Sequence, residues 1–301
     1  MLRIRLSRTG KTSQESFRIV VAEHSDAVKG KYKELLGHYV PASKDKKFDV
    51  KKEEVKKLLD SIHSTRSTDS THSHDGFYLD FIDVYKILNA YGLPVIHSLI
   101  ASDIETSKKL AKEIGYPVVI KAIGRELIHK TEVGGVLIDI HDDTELEHAE
   151  DNLIKKLKSK GLQDKLEGFL IQPYLRGGIE TIMGVFNDTK AGHLVMFGLG
   201  GVMVEVLKDV KFKLLPITDI EADQLIKSVQ CYKLLKGVRG KPSVDFEFIK
   251  DCLLRLSQLI EDFPEFTEID FNPFVFSHNA EECKILDARM KVKCKVNYDK
   301  Q

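Results

Sequence analysis

Residues 116–136 read YPVVIKAIGRELIHKTEVGGV. The run PVVIKAI is apolar enough for one buried strand and is interrupted only by Lys121 near its end. An ammonium on such a strand is costly to desolvate unless an anion compensates it; the alternative is that its long stem snorkels to the surface. His129 comes next, followed by the paired glycines Gly134 and Gly135. Glycine pairs let backbone N–H groups approach a phosphate closely, and a neutral imidazole beside them can attack phosphorus as a nucleophile. Taken alone, a loop histidine next to Gly-Gly serves structure as readily.

Working outward, helix and strand patterns alternate. Phe77, Phe81, Val84, Leu88 and Tyr91 lie on one face of a helix that Gly92 and Pro94 end. Ser102 or Asp103 caps a second helix through Ile104, Leu110, Ala111 and Ile114, stopped by Gly115 and Pro117. A third starts at Asp142–Thr144, buries Leu146, Ala149, Leu153 and Leu157, and ends among lysines, a charge order that suits the helix dipole. Strands are expected at GFLIQPYL, TIMGVF and HLVMFGL, and a further helix through Ile249, Leu253, Leu256 and Ile260. FTEIDFNPFVF and KILDARMKV read as a hairpin. The fold class is α+β.

Two more segments carry chemistry. MFGLGGVMVEVLKD (196–209) places Gly198, Gly200 and Gly201 at a strand-to-strand turn. It lacks the Lys-Ser/Thr of a Walker loop and the helix of a dinucleotide fingerprint, so by itself it says little. In EIDFNPF, Asp270 and Asn272 alternate along a strand, and Asp287 of LDAR can lie beside them on its partner. Carboxylate and amide oxygens are what hard Mg²⁺ accepts while keeping water and phosphate ligands; the competing reading is a solvated hairpin.

The N-terminal part is different in kind. Residues 1–41 hold eight Lys/Arg against four acids, with IRL and FRIVVA reading as two short strands. Residues 44–60 read as a short charged helix with Val50, Val55, Leu58 and Leu59 as its thin apolar face. Of the sixteen residues 61–76, eight are Ser or Thr and only Ile62 is a sizeable hydrophobe, which predicts a linker that buries too little to offset its ordering entropy. His72 and His74 are read as linker residues, since no further metal ligand lies near. The expected modules are therefore 1–60, a linker at 61–76, 77–292, and a tail at 293–301.

Across the 301 residues, 46 Lys+Arg balance 46 Asp+Glu, which excludes a globally basic coat but permits a local basic patch. Cys231, Cys252, Cys283 and Cys294 form no CxxC pair, so neither a zinc signature nor a compact disulfide framework is present. No window of about 18 uncharged apolar residues occurs, and MLRIRLSRTG has no apolar h-region. The expectation is a soluble cytoplasmic protein with reduced thiols and no membrane partner.

Taken in order, YGLPV, IGYPVVIKA, LIHKTEVGGV, FLIQPYLRGGIE, VMFGLGGVMVEVLKDVKFKLLPI, YKLLKGVRGKP, LLRLSQLIEDFPE, EIDFNPF and LDAR resemble the ATP-grasp (β) subunit of ADP-forming acetyl-CoA and other acyl-CoA synthetases, relatives of succinyl-CoA synthetase. The resemblance spans residues 77–292 and implies an ATP-grasp fold of two α+β lobes. It implies reversible conversion of acyl-CoA, ADP and phosphate into acid, ATP and CoA, with ATP/ADP and Mg²⁺ bound here. By it, His129 is the phosphohistidine and Asp270 sits near it. Lys121, Gly134, Gly135 and Glu180 serve the nucleotide, Gln172 and Tyr174 frame the adenine, and Asn272 with Asp287 hold Mg²⁺. Nothing in the chain has the Rossmann-like pattern of the CoA-binding α part, so an α subunit carrying CoA is the implied partner.

Residues 1–60 resemble the bacterial small-subunit ribosomal protein numbered sixteen through IRL with Arg8 and Gly10, FRIVVA, and the segment Gly30, Leu36, Gly37, Tyr39, Pro41. That family binds small-subunit ribosomal RNA, with Arg3, Arg5, Arg8, Lys11 and Arg18 implied as phosphate contacts. The expected chain is a fusion: a ribosomal-protein-like sheet, a linker and an ATP-grasp module. The main role is that of an enzyme subunit; the alternative is a ribosome component with the larger part as appendage.

Overall fold

The computed structural model describes residues 2–8, 17–23, 34–39, 48–66, 76–124, 127, 135–201, 209–238, 240 and 242–294, with backbone alone up to residue 39 and at 65–66. They fall into two compact units, one of residues 1–94 with 178–301 and one of residues 95–177.

The smaller unit is a four-stranded antiparallel sheet in the order β5 (Leu99–Ala101), β8 (Gly168–Pro173), β6 (Val118–Ile123), β7 (Val136–Ile140). Helices α3 (Ile104–Ile114) and α4 (Asp143–Ser159) pack on one face of it. The side chains of Asp103 and Asp142 cap them by accepting from Thr106 and Glu145 N–H, as the acid-first pattern predicts. Val118, Ile120, Phe169 and Ile171 meet Ala111, Leu146, Ala149 and Leu153 in the core. Because strand residues alternate, Val119 and Lys121 belong to the opposite face.

The larger unit is built on a second sheet ordered β11 (Val210–Leu214), β10 (Gly192–Leu199), β9 (Ile179–Asp188), β12 (Phe266–Phe276), β14 (Ala288–Val292), β4 (Phe77–Tyr78). The short β13 (Lys284–Ile285) also pairs with β12. Met183, Val185, Val195, Phe197, Ile269, Phe271 and Met290 are buried, and α5 (Asp219–Ser228) and α7 (Phe246–Asp262) pack against β10. Between those helices lies the single turn α6 (Tyr232–Leu235). Helix α5 starts with a reciprocal capping box between Thr218 and Glu221. The helix expected to begin at Phe77 is α2 (Phe81–Ala90), capped by Asp80, while Phe77 itself is in β4.

The linker expectation needs correction. Helix α1 runs Lys52–Arg66, so residues 61–66 are helical. Val55, Leu59, Ile62 and His63 recur at helical spacing and are buried. Polar side chains on one stripe of α7 hold the segment in place. Gln258 exchanges hydrogen bonds with the Phe48 backbone at 2.9 and 3.3 Å, Arg255 lies 4.1 Å over the Phe48 ring, and Asp262 pairs with Lys52 at 2.5 Å. His63 faces the carbonyls of Leu59 and Lys293 at 2.7 and 3.0 Å. One isoleucine and one histidine thus extend the stripe that composition alone discounted. His72 and His74 lie outside the described residues.

At the N-terminus, β1 (Leu2–Arg8), β2 (Phe17–Glu23) and β3 (Glu34–Tyr39) form an antiparallel sheet in that order, one strand more than expected. Arg3 pairs with Ala22, Arg5 with Val20 and Ser7 with Arg18, so Arg3, Arg5 and Arg18 occupy positions on one face and Arg8 on the other. Lys11 lies outside the described residues. Among the described residues no helix is long and apolar enough to cross a membrane.

Candidate nucleotide and cation site

Each unit carries one cluster of the expected residues. In the smaller unit, Val119 pairs with Gln172 and Lys121 with Leu170 and Val136, which sets Lys121 and Gln172 on the face opposite α3 and α4. Both are buried, at 6% and 2% exposure, on a strand pair otherwise apolar. Gln172 Nε2 donates to Ser98 Oγ at 2.8 Å, which fixes the amide. Tyr174 N–H donates to the Pro117 carbonyl at 3.0 Å, tying the end of β8 to the start of β6. Gly135 immediately precedes β7, its carbonyl accepting from Ala122 N–H at 2.9 Å. His129 and Gly134 lie outside the described residues.

In the larger unit, Glu268 and Asp270 stand on the face of β12 away from the core, opposite Lys291 and Arg289 of β14. Register slips between Phe271 and Phe274, and there Asn272 N–H donates to the Asp287 carbonyl at 3.2 Å. The hairpin therefore does bring Asp270, Asn272 and Asp287 together. Burial pushes the Asp270 carboxyl up to about 6; Arg289 opposes the shift, whereas Asp287 and Glu268 add to it. Its Oδ1 is buried with no hydrogen-bond partner among the described residues.

The turn after β10 joins the same place. Gly201 N–H donates to Asn272 Oδ1 at 3.1 Å, and Gly200 N–H to the Glu180 carbonyl at 3.0 Å. Glu180, at the exposed start of β9, has its carboxylate against Gly201. A glycine motif of little meaning in sequence is thus part of the cluster.

Asn272 and Asp287 are partly exposed residues with oxygen-bearing side chains on one hairpin. They fit a cation that takes one or two protein oxygens and completes its shell with water and phosphate, as Mg²⁺ does. Among the described residues no three His, Cys, Asp or Glu side chains gather into a protein-only cage. Sequence reasoning passed over Asp209. Buried immediately before β11, it accepts from Gln230 and Cys231 N–H at 2.7 and 2.6 Å. Burial, with Asp209 adding, pushes the Cys231 thiol up to about 12, so this cysteine is inert.

The family match defines the class. Residues 70–292, most of the chain, match the ATP-grasp domain family, and residues 8–61 match Ribosomal protein S16. The chain belongs to the ATP-grasp family. It is 37% identical to the acetate–CoA ligase [ADP-forming] II subunit beta of Pyrococcus furiosus, across 69% of this chain and 89% of that subunit. It is 38% identical to the 4-hydroxybutyrate–CoA ligase [ADP-forming] of Nitrosopumilus maritimus, across 81% of this chain and 34% of that enzyme. The chain thus spans about a third or less of the first curated relatives it matches. Among solved structures it is similar to the dinucleotide forming acetyl-coenzyme A synthetase 1 of Ca. Korarchaeum cryptofilum. That structure holds coenzyme A and Mg-AMPPCP, with its phosphohistidine segment pointing towards the nucleotide binding site. The TM-score is 0.63 at 31% identity, covering 79% of this chain and 100% of that one.

Proposed function

We propose that this chain is the phosphoryl-transferring part of an ADP-forming acyl-CoA synthetase, catalysing acyl-CoA + ADP + phosphate = acid + ATP + CoA together with a CoA-binding α partner. The observation that carries the reading is the pairing of Asn272 and Asp287 on one hairpin, beside Asp270 and Glu180, in a chain whose other unit presents Lys121 and Gln172 on one sheet face.

An acyl phosphate formed on the partner gives its phosphoryl to the His129 imidazole; the P–O bond breaks as a P–N bond forms, and the acid leaves. The P–N bond then breaks as a terminal oxygen of ADP takes the phosphoryl, producing ATP. Lys121 neutralises phosphate charge, and the apolar strand around it keeps that interaction strong. Gln172 and the Tyr174 backbone orient the adenine, with Gly134 and Gly135 offering N–H groups to phosphate and Glu180 closing the nucleotide side. By the family resemblance, Asp270 is the second catalytic residue and serves the phosphorylated imidazole. Asn272 and Asp287 would hold Mg²⁺, which would supply charge neutralisation for the nucleotide phosphates.

Reconstitution tests this. The chain mixed with a CoA-binding α subunit should form ATP from acetyl-CoA or another acyl-CoA with ADP, phosphate and Mg²⁺. ATP formation that does not require this chain would refute the assignment.

The ribosomal match favours a second role, binding of small-subunit rRNA in the cytoplasm by Arg3, Arg5, Arg8, Lys11 and Arg18. The docking of α1 limits it: the S16 match ends at residue 61, inside a helix whose apolar stripe packs on the ATP-grasp part. The ligase role is primary.

A further inference from the structure

Gly200 and Gly201 lie against β9 and β12; backbone leaves no room for a side chain at Gly200, and at Gly201 the constraint is the left-handed backbone with the mobile Glu180 carboxylate beside it. A Cβ on Gly200 would stand 2.3 Å from the Thr181 carbonyl carbon. At Gly201 φ is +63°, in the left-handed region, and a Cβ would stand 2.0 Å from Glu180 Oε2. The N–H of Gly201 reaches Asn272 Oδ1 at 3.1 Å.

We infer that Gly201 is a positioning residue for Asn272: its N–H selects the amide rotamer that presents oxygen, and the glycine admits the Glu180 carboxylate beside it. A backbone N–H needs an acceptor, so Oδ1 and not Nδ2 turns inward. An amide oxygen has two lone pairs; one takes the Gly201 proton and the other stays available to a divalent cation. An untethered asparagine would spend part of its time with the NH₂ group, a donor that repels a cation, on that side. Outer partners of this kind alter metal affinity by about 10–100-fold when removed. The inference rests on the proposed reading that Asn272 and Asp287 hold the nucleotide's cation, and it adds a role for the glycine turn.

The test is Mn²⁺ binding to the full chain in the presence of ADP, read from the loss of the free-ion electron paramagnetic resonance signal, with thermal unfolding followed in parallel. Gly201→Ala keeps the N–H but is strained at φ +63°, which should draw that N–H off Asn272 Oδ1 and weaken Mn²⁺ binding by about tenfold or more, and Asn272→Ala should weaken it at least as much. Parent-like Mn²⁺ affinity in Gly201→Ala, with the loss confined to Asn272→Ala, overturns the inference and leaves the cation assignment standing. Unchanged affinity in Asn272→Ala removes that assignment and the inference with it. A second measurement needs no variant: in the ¹⁵N-glycine-labelled parent, the Gly201 amide resonance should move on adding Mg²⁺ with ADP and hold still with ADP alone. A resonance indifferent to Mg²⁺ once the ion is bound also overturns the inference.

Discussion

Leu59 offers a quantitative test of where α1 belongs. Its side chain is 1% exposed, flanked by Val55 at 1% and Ile62 at 8% on the stripe that faces the ATP-grasp part. Truncating a buried leucine to alanine costs about 2–5 kcal/mol, through lost transfer energy and the cavity left behind. For a helix at the margin of a core, about 3 kcal/mol is the fitting value. In a chain of this size each kcal/mol moves Tm by about 2–4 °C, so Leu59→Ala should lower Tm by about 6–12 °C. The assay is thermal unfolding with and without Mg²⁺ and ADP, because the transition that shifts upward on adding ligand is that of the nucleotide-binding part. Lys57→Ala, on the exposed side of the same helix, should stay within about 0.5 kcal/mol of the parent. If Leu59→Ala left the ligand-sensitive transition where Lys57→Ala leaves it, α1 would not be docked there, and residues 52–66 would revert to the ribosomal-protein-like part.

Further outcomes follow from individual contacts. Lys121→Met keeps the length of an unbranched side chain and removes its charge, so ADP affinity should fall by at least about tenfold, measured by calorimetry, since charge-assisted hydrogen bonds contribute about 1.5–3 kcal/mol. Asp287→Asn should raise the Mg²⁺ concentration needed for half-maximal ATP formation, with little effect on ADP binding measured in a chelator. Thr218→Ala breaks the capping box of α5 and should cost about 1 kcal/mol in chemical denaturation, with the slope unchanged. If all five N-terminal cations contact phosphate, rRNA binding should weaken with a log–log salt slope of roughly −3.5 to −4.5; a flat response would remove the RNA role.

Much of the fold is readable because local signals agree. In α7 the apolar residues recur at helical spacing behind an Asp245 cap, and β6 is an apolar run, broken only by Lys121, bounded by Pro117 and Gly124. Helix α5 carries a capping box in its sequence, but its few apolar positions make a weak periodic signal. The end of α1 was misplaced for a different reason. Composition averages over a window, whereas Ile62 and His63 are buried singly, by partners far along the chain such as Lys293. The cluster proposed to hold a cation is half legible: alternation predicts that Asp270, Asn272 and Asp287 converge, because one hairpin carries them. The joining of Glu180, Gly201 and Asn272 is invisible in sequence, since it depends on residues from β9, from the turn after β10 and from β12 meeting in space.

The central claim is that His129 carries the phosphoryl group. The chain should be incubated with Mg²⁺ and [γ-³²P]ATP, alone and with a CoA-binding α subunit, beside the His129→Ala variant. Label should appear on the parent chain, survive alkali and be lost in acid, as expected of a P–N bond, with none on the variant. Equal labelling of the parent and His129→Ala would contradict it.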